Sequence, residues 1–495
     1  MNLKKKFASD VLFSVVSNGL LSLFGLITVP ILTRTLTSDL YGVWVQIGVT
    51  TGLLLAFITF GFQMTVVRFL TSECDKQRAS SLFHLMFGIV LLNGLIFVLI
   101  TFFFQNIISN FIFADVSFHR FVPLTGLWLM AQAIYAMNIS FIRSKNKIKL
   151  LSVFNIVHSI LHILVIYFVL IAFARDLQTM LVIYIIVTLL LSIIMYLSEV
   201  VRTIGISVNF YDSKSTLKDL FKFSLPFILN LPLGWILTSC DRYFIVHLLG
   251  LSENAVYSVT YSLVGILSLF YMPLGFVMYP LLVELWENDR INIVKCLLET
   301  STKLYIYFII PSILGLYALG SKAILMLTTS DYIVHPALIL WISLGMLFYG
   351  FEQINVYIIH LIKKTYYTTI LVTIAAIINI ILNYFLIMAI GIEGAAISTL
   401  ISYLFLAISV VLLARKTLNY MIDIKFTFKC IFSSLIMFIA VQQIAITSLN
   451  IFLLAVILGA TVYLISTILL RCFTQDDMRN LKKLLYADKV DRGHI

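Results

Sequence analysis

Along most of this chain apolar residues do not alternate with polar ones; they run on without a charge. Such stretches cover 11–33, 40–67, 121–142, 150–174 and 177–198, and resume at 254–283, 365–392, 394–414 and 430–470. About 20 apolar residues cross a bilayer as an α-helix, so the longest runs must hold two spans and a tight turn. The pattern predicts 14 spans: 11–33, 40–62, 82–104, 121–142, 150–174, 177–198, 223–247, 255–280, 304–327, 335–360, 366–388, 394–414, 430–446 and 450–470. Polar residues inside them are ordered. Ser14, Asn18, Ser22 and Gly25 in the first span stand 216 positions before Asn230, Gly234, Thr238 and Asp241 in the seventh, and Tyr41 stands 216 before Tyr257. Steps of four, four and three keep each set within an arc of about 80° on a helix. Two spans half a chain apart thus carry matching small or polar stripes, as the inward walls of a duplicated transporter bundle would.

Other features recur near that offset. A basic loop precedes span 5 and another precedes span 11, and the i, i+4 pair His158 and His162 answers to Asn379 and Asn383. Six spans per half is an even number, so both halves insert the same way round and the repeat axis lies along the membrane normal. The expected fold is an all-α integral membrane protein of about 14 transmembrane helices. It has two six-helix lobes, 1–200 and 223–414, related by a pseudo-two-fold. A cytoplasmic linker at 201–222, two additional helices within 430–470 and a cytoplasmic tail at 471–495 complete it. Linker and tail each pair leucines with lysines, a pattern that suits either a helix lying in the membrane interface or an ordinary solvated helix end.

Composition excludes a soluble protein: 61% of residues are hydrophobic and 12% charged, about half the usual ~25% charged share. Charge then orients the chain. With the N-terminus inside, all of the 34 Lys and Arg except Arg34, Arg120, Arg175, Arg242 and Lys322 fall on the cytoplasmic side, as the positive-inside rule requires. The expected location is the bacterial cytoplasmic (inner) membrane, with both termini cytoplasmic. The net charge of +11 is accounted for by orientation and by anionic membrane lipids, so no nucleic acid is expected. The first span is too long for a signal peptide and lacks a cleavage site. Cys74, Cys240, Cys296, Cys430 and Cys472 form no C-x-x-C pair, and neither a disulfide nor a metal site is expected.

Catalytic signatures are missing: no phosphate-cradling glycine loop, no H-E-x-x-H, no G-x-S-x-G. Function must then reside in the polar groups of the spans, with no cofactor. An ionisable group at membrane depth costs at least ~2.5 kcal/mol, so it faces a cavity or a partner. Asp241-Arg242, late in span 7, is either a local ion pair or a cavity group for an anionic substrate or coupling ion. Arg34 and the amides Asn18, Asn230, Asn379 and Asn383 are further candidates for the cavity wall. Arg68 and Glu284, again 216 apart, either close an inner gate or are independent interfacial charges. Glu352, with Asn355 and Tyr349 on its face, is a candidate proton site.

The segment 224–287, with Pro226, Asp241-Arg242-Tyr243, Gly250, Tyr257, Pro273 and Pro280, resembles the start of the second repeat in polysaccharide flippases of the Wzx type. These belong to the multidrug/oligosaccharidyl-lipid/polysaccharide exporter superfamily. Pro30, Arg34, Tyr41 and Gly42 resemble that family's first-span region, and GIEGAAIST at 391–399 with Tyr403 its span 11–12 junction. Val256 replaces a glycine often found there. The resemblance implies two lobes around a cavity open to one side at a time, coupled to an ion gradient. It also implies the cargo, an oligosaccharide repeat unit on undecaprenyl pyrophosphate, destined for O-antigen, lipopolysaccharide or capsule. Its partners would be the polymerase and chain-length regulator of polysaccharide assembly. A drug or cation antiporter of the same superfamily is the alternative; a membrane polymerase is disfavoured by the repeat and the short outer loops.

Overall fold

The computed structural model describes residues 3–173, 176–207, 213–418, 420, 423–474 and 477. Every regular element among them is helical. The chain divides into two compact units, Met1–Ser258 and Val259–Ile495. The first holds α1 Leu3–Thr35, α2 Ser38–Ile58, α3 Phe62–Ser72, α4 Lys76–Phe103, α5 Gln105–Phe113, α6 Val122–Ser144, α7 Ile148–Tyr167 and α8 Leu177–Met195. It continues with the short α9 Arg202–Ile204, α10 Ser213–Ser239, α11 Asp241–Leu248 and the start of α12 Leu251–Val264. The second holds α13 Met272–Glu287, α14 Ile291–Leu327, α15 Pro336–Leu361, α16 Tyr366–Ile390, α17 Ile392–Thr417, α18 Ile424–Gln442 and α19 Leu449–Leu469.

Local chemistry explains where these helices begin. Asp75, Asp176 and Asp423 each accept a backbone amide of the first turn, at 2.9 Å, which satisfies a donor the helix itself leaves open. Pro273 and Pro336 occupy the first turns of α13 and α15, where a missing N–H costs nothing. Phe60 and Gly61, with φ of 50° and 67°, end α2 at the close of the second span, and the chain restarts as α3. The connection 105–120 between the third and fourth spans is α5 followed by a 3-10 turn at Val116–Phe121.

Among the described residues 12 helices are long and apolar enough to cross a membrane. They coincide with 12 of the 14 sequence-read spans. The other two are the first, which is α1, and the eighth, divided into α12, a 3-10 turn at Gly265–Phe270 and α13. Many large apolar side chains lie on the outside, Phe103, Phe385 and Ile468 among them, a surface suited to hydrocarbon rather than water. Inside the first unit, Phe62, Phe83, Met86 and Met137 form the centre of an aliphatic and aromatic core.

The duplication is visible as packing. In the first unit α4 lies on α6, α6 on α8 and α7 on α8; in the second α14 lies on α15, α15 on α17 and α16 on α17. The same span-to-span neighbours recur. α18 and α19 pack on each other and on α14. They are anchored where Lys303 Nζ meets Asp423 at 2.9 Å and Asp477 at 2.7 Å, and where the Tyr463 hydroxyl donates to Tyr307 O at 2.7 Å.

Candidate functional site

The seventh span is not one continuous helix, as its sequence suggested. α10 ends at Ser239, Cys240 turns, and α11 starts at Asp241. The break places the Asp241 carboxylate in the first turn of α11, where the helix dipole favours a negative charge. Asp241 is 2% exposed and Arg242 9%. Asp241 Oδ1 accepts the Arg242 backbone N–H at 2.9 Å and Arg242 Nη1 at 3.1 Å. The same guanidinium nitrogen donates to Thr238 O at 3.0 Å. From α12 the buried Tyr257 hydroxyl donates to Asp241 Oδ2 at 2.5 Å, and its ring lies 5.6 Å from the guanidinium carbon. The ion pair is therefore held by three elements of one unit. Each charge has partners, which is what a buried pair needs to offset its desolvation.

A polar seam continues from this pair onto α2. The Asn254 amide donates to Gln46 Oε1 at 3.4 Å, and Thr50 Oγ1 lies 2.6 Å from the Tyr243 hydroxyl. Trp235 Nε1 donates to Val49 O at 3.0 Å. α2 can approach α12 because residue 42 is glycine: a Cβ there would meet the Leu251 carbonyl. None of Gln46, Thr50 or Asn254 was singled out from sequence. They lie about 190–210 positions from their partners, and no local spacing reports such a contact. Tyr257 was noted as the repeat mate of Tyr41 and as part of the family resemblance, not as a partner of Asp241.

The remaining candidates are scattered. Asn230 is exposed and its amide donates to Pro226 O at 2.8 Å. The side chains of Ser14, Asn18 and Ser22 lie outside the described residues, and Gly25 is exposed. Arg34, Arg68 and Glu284 are exposed, the first two in one unit and Glu284 in the other. Asn379 and Asn383 are fully buried and hydrogen-bonded to each other at 2.9 Å. The Asn379 amide also reaches Thr399 Oγ1 at 3.4 Å, tying α16 to α17.

Glu352, in α15, is the buried acid of the second unit. It is 5% exposed and accepts Gln353 Nε2 at 2.8 Å. No Lys, Arg or His pairs with it among the described residues. Tyrosines gather on its helix: Tyr349 stacks near Tyr403 at 4.7 Å and meets Tyr271 at 5.8 Å. Asn355, on the same face, receives the Tyr420 hydroxyl. No group of three or more His, Cys, Asp or Glu that could hold a metal occurs among the described residues.

Known proteins share both this architecture and part of this sequence. A family described as polysaccharide biosynthesis protein matches residues 7–286, more than half of the chain and the stretch containing the Asp241–Arg242–Tyr257 cluster. An uncharacterized membrane protein of Methanocaldococcus jannaschii, MJ1068, is 28% identical over 212 residues. That alignment covers 42% of this chain and 41% of the relative, so the chain spans well under half the length of the curated relative it matches. Among solved structures, the lipid II flippase MurJ in an inward closed conformation superposes with a TM-score of 0.77 at 19% identity, over 93% of this chain and 99% of that one. An inward-facing multidrug resistance MATE family transporter of the MOP superfamily gives 0.64 at 16% identity, over 81% and 94%. A MOP superfamily transporter from Pyrococcus furiosus gives 0.61 at 12%, over 85% and 96%. At such identities the superpositions establish the fold, and the family match establishes descent: this chain is a multi-pass membrane protein with the MurJ and MATE fold and belongs to the polysaccharide biosynthesis protein family.

Proposed function

We propose that the protein is a flippase, not an enzyme, which moves a lipid-linked oligosaccharide repeat unit from the cytoplasmic to the outer leaflet. The carrier is undecaprenyl pyrophosphate, the setting the bacterial cytoplasmic membrane, and the product a surface polysaccharide such as O-antigen or capsule. The family match over residues 7–286 carries this reading. The cargo chemistry supports it. A pyrophosphate and its sugars cannot enter hydrocarbon unaided, and a guanidinium such as that of Arg34 or Arg242 is a suitable donor for phosphate oxygens. Alternating access of the lobes 1–200 and 223–414 about the linker 201–222 shelters the headgroup while the lipid tail stays in the bilayer.

Ion coupling is assigned to Glu352, a buried acid at membrane depth with no Lys, Arg or His paired to it among the described residues. That same acid is what favours the second reading, a drug or cation antiporter. Deletion of the gene separates them. A flippase mutant accumulates the carrier-linked repeat unit on the cytoplasmic face. Unpolymerised single units on the outer surface would point to a polymerase, and normal polysaccharide with raised drug sensitivity to an antiporter.

A further inference from the structure

The first unit contains a second buried polar cluster, formed where α7 packs against α6 and α8. Six rings form a column. Tyr135 stacks on His158 with centroids 4.3 Å apart, His158 lies 3.9 Å from His162, and His162 stacks on Tyr184 at 3.4 Å. Tyr184 meets the edge-on pair Trp128 and Trp44 at 5.1 and 5.4 Å. One hydroxyl joins the two imidazoles: Thr188 Oγ1 is 2.9 Å from His162 Nε2 and 3.4 Å from His158 Nε2. Thr188 has already given its proton to Tyr184 O, at 2.9 Å. Its oxygen is then left to accept from both rings, and this hydrogen-bond pattern assigns each histidine the neutral tautomer with its proton on Nε2. That leaves a lone pair on each Nδ1, with no hydrogen-bond donor to either among the described residues. His162 is 6% exposed while His158 is half-buried, so the column has one dry ring and one that reaches its edge.

Among the described side chains, no charged one faces the pair. α6 contributes Tyr135 and α8 Tyr184, both neutral; α2 contributes Trp44. On α1, which lies along α7, Lys4, Lys5, Lys6 and Asp10 precede Phe13, and Arg34 ends the helix. Phe13 sits beside Lys149, and His158 is nine residues further along α7, about 13 Å by helix rise. Tyr135 is committed elsewhere, its hydroxyl donating to Asn155 Oδ1 at 2.9 Å.

The geometry points to the His158–Thr188–His162 cluster as a proton-binding site whose occupation is incompatible with the packed ring column. Two rings in contact share one acceptor, so the pair takes up one proton, on an Nδ1. The resulting imidazolium has no counter-ion among the described side chains, a costly state in hydrocarbon. It becomes affordable when α7 separates from α8 and water reaches the rings. Proton binding and α7–α8 opening are then linked: each favours the other. This holds whatever the cargo, and it concerns a unit that does not contain Glu352.

The test uses the full-length protein in lipid nanodiscs, titrated from pH 8 to pH 5. Imidazole ¹⁵N spectra, assigned by loss of signal in His158→Gln and His162→Gln, read protonation directly. Backbone hydrogen exchange over α7 and α8 reads opening. The expectation is that one ring of the pair gains a proton and that exchange rises with it, by up to about tenfold per pH unit for a one-proton step. The double variant should show a flat profile. Should the double Gln variant fail to fold, His158→Phe with His162→Phe keeps two rings in the stack without either proton site and should flatten the profile. Two neutral rings throughout the titration, or an unchanged exchange profile in the variant, overturns the proposal. Neither result bears on the flippase reading, which the accumulation of carrier-linked units decides.

Discussion

Asp241 and Arg242 show how much one pair of adjacent residues depends on its surroundings. Their partners Thr238 and Tyr257 come from the preceding and following helices, so the pair is both a lock within the first unit and a store of charge at membrane depth. Removing one member leaves the other buried and unpaired, at a cost of about 3–5 kcal/mol. Arg242→Ala should therefore lower the thermal stability of the purified protein more than the double change Asp241→Asn, Arg242→Gln, which leaves no net charge behind. If the pair also meets cargo, the double variant should reach wild-type levels in the membrane yet fail to complement a deletion; full complementation would leave the pair a purely structural one. Sequence identified these two residues because a charge in an apolar run is conspicuous. It did not join Tyr257 to them, because that hydroxyl bond depends on α12 folding back beside α11.

At the scale of helices, a single glycine sets how α2 meets α12. A side chain at Gly42 would collide with the Leu251 carbonyl, and backbone cannot yield as a flexible side chain can. Gly42→Val should separate the helices, weaken the Gln46–Asn254 bond and lower the melting temperature measurably, whereas Gly48→Ala, where a Cβ meets nothing, should not. The C-terminal helices depend on a different device. Burial by itself would raise the carboxyls of Asp423 and Asp477. The bonds from Lys303 and from the Phe426 and Thr474 amides outweigh it and hold both below the usual carboxylate range. A depressed folded-state value means this anchoring is intact above the ordinary carboxylate value of about 4 and is lost as pH falls through the folded-state value. Limited proteolysis after Lys429 should accordingly increase on acidification, and Lys303→Ala should produce that increase at neutral pH. The helices themselves were legible because twenty apolar residues have few alternatives in a bilayer. The breaks at Phe60–Gly61 and at Gly265–Phe270 were not, since each lies within an unbroken apolar run, and the one at Cys240 has no glycine or proline to mark it.

For the whole molecule, the alternation of basic and neutral connections predicts which ends face the cytoplasm. A reporter fused after Lys364 should read cytoplasmic, and one fused after Asp331 should read external; the reverse at either position would break the 14-span arrangement read from the sequence. The span-to-span neighbours common to the two units agree with the duplication that the 216-residue offset suggested. Sequence by itself determined the helical membrane class, nearly every span and the repeat, because hydrophobic length and charge placement act locally and are written in consecutive residues. It also placed Asp241, Arg242 and Glu352 as candidates. Only the tertiary structure decided what those side chains touch: that Asp241 is bound by Tyr257, that Glu352 meets no cation among the described residues, that Asn379 and Asn383 clasp one helix hairpin, and that two histidines share Thr188. Those contacts join residues from different helices, and which helices become neighbours is settled by packing across the bilayer, where no local pattern in the chain records it.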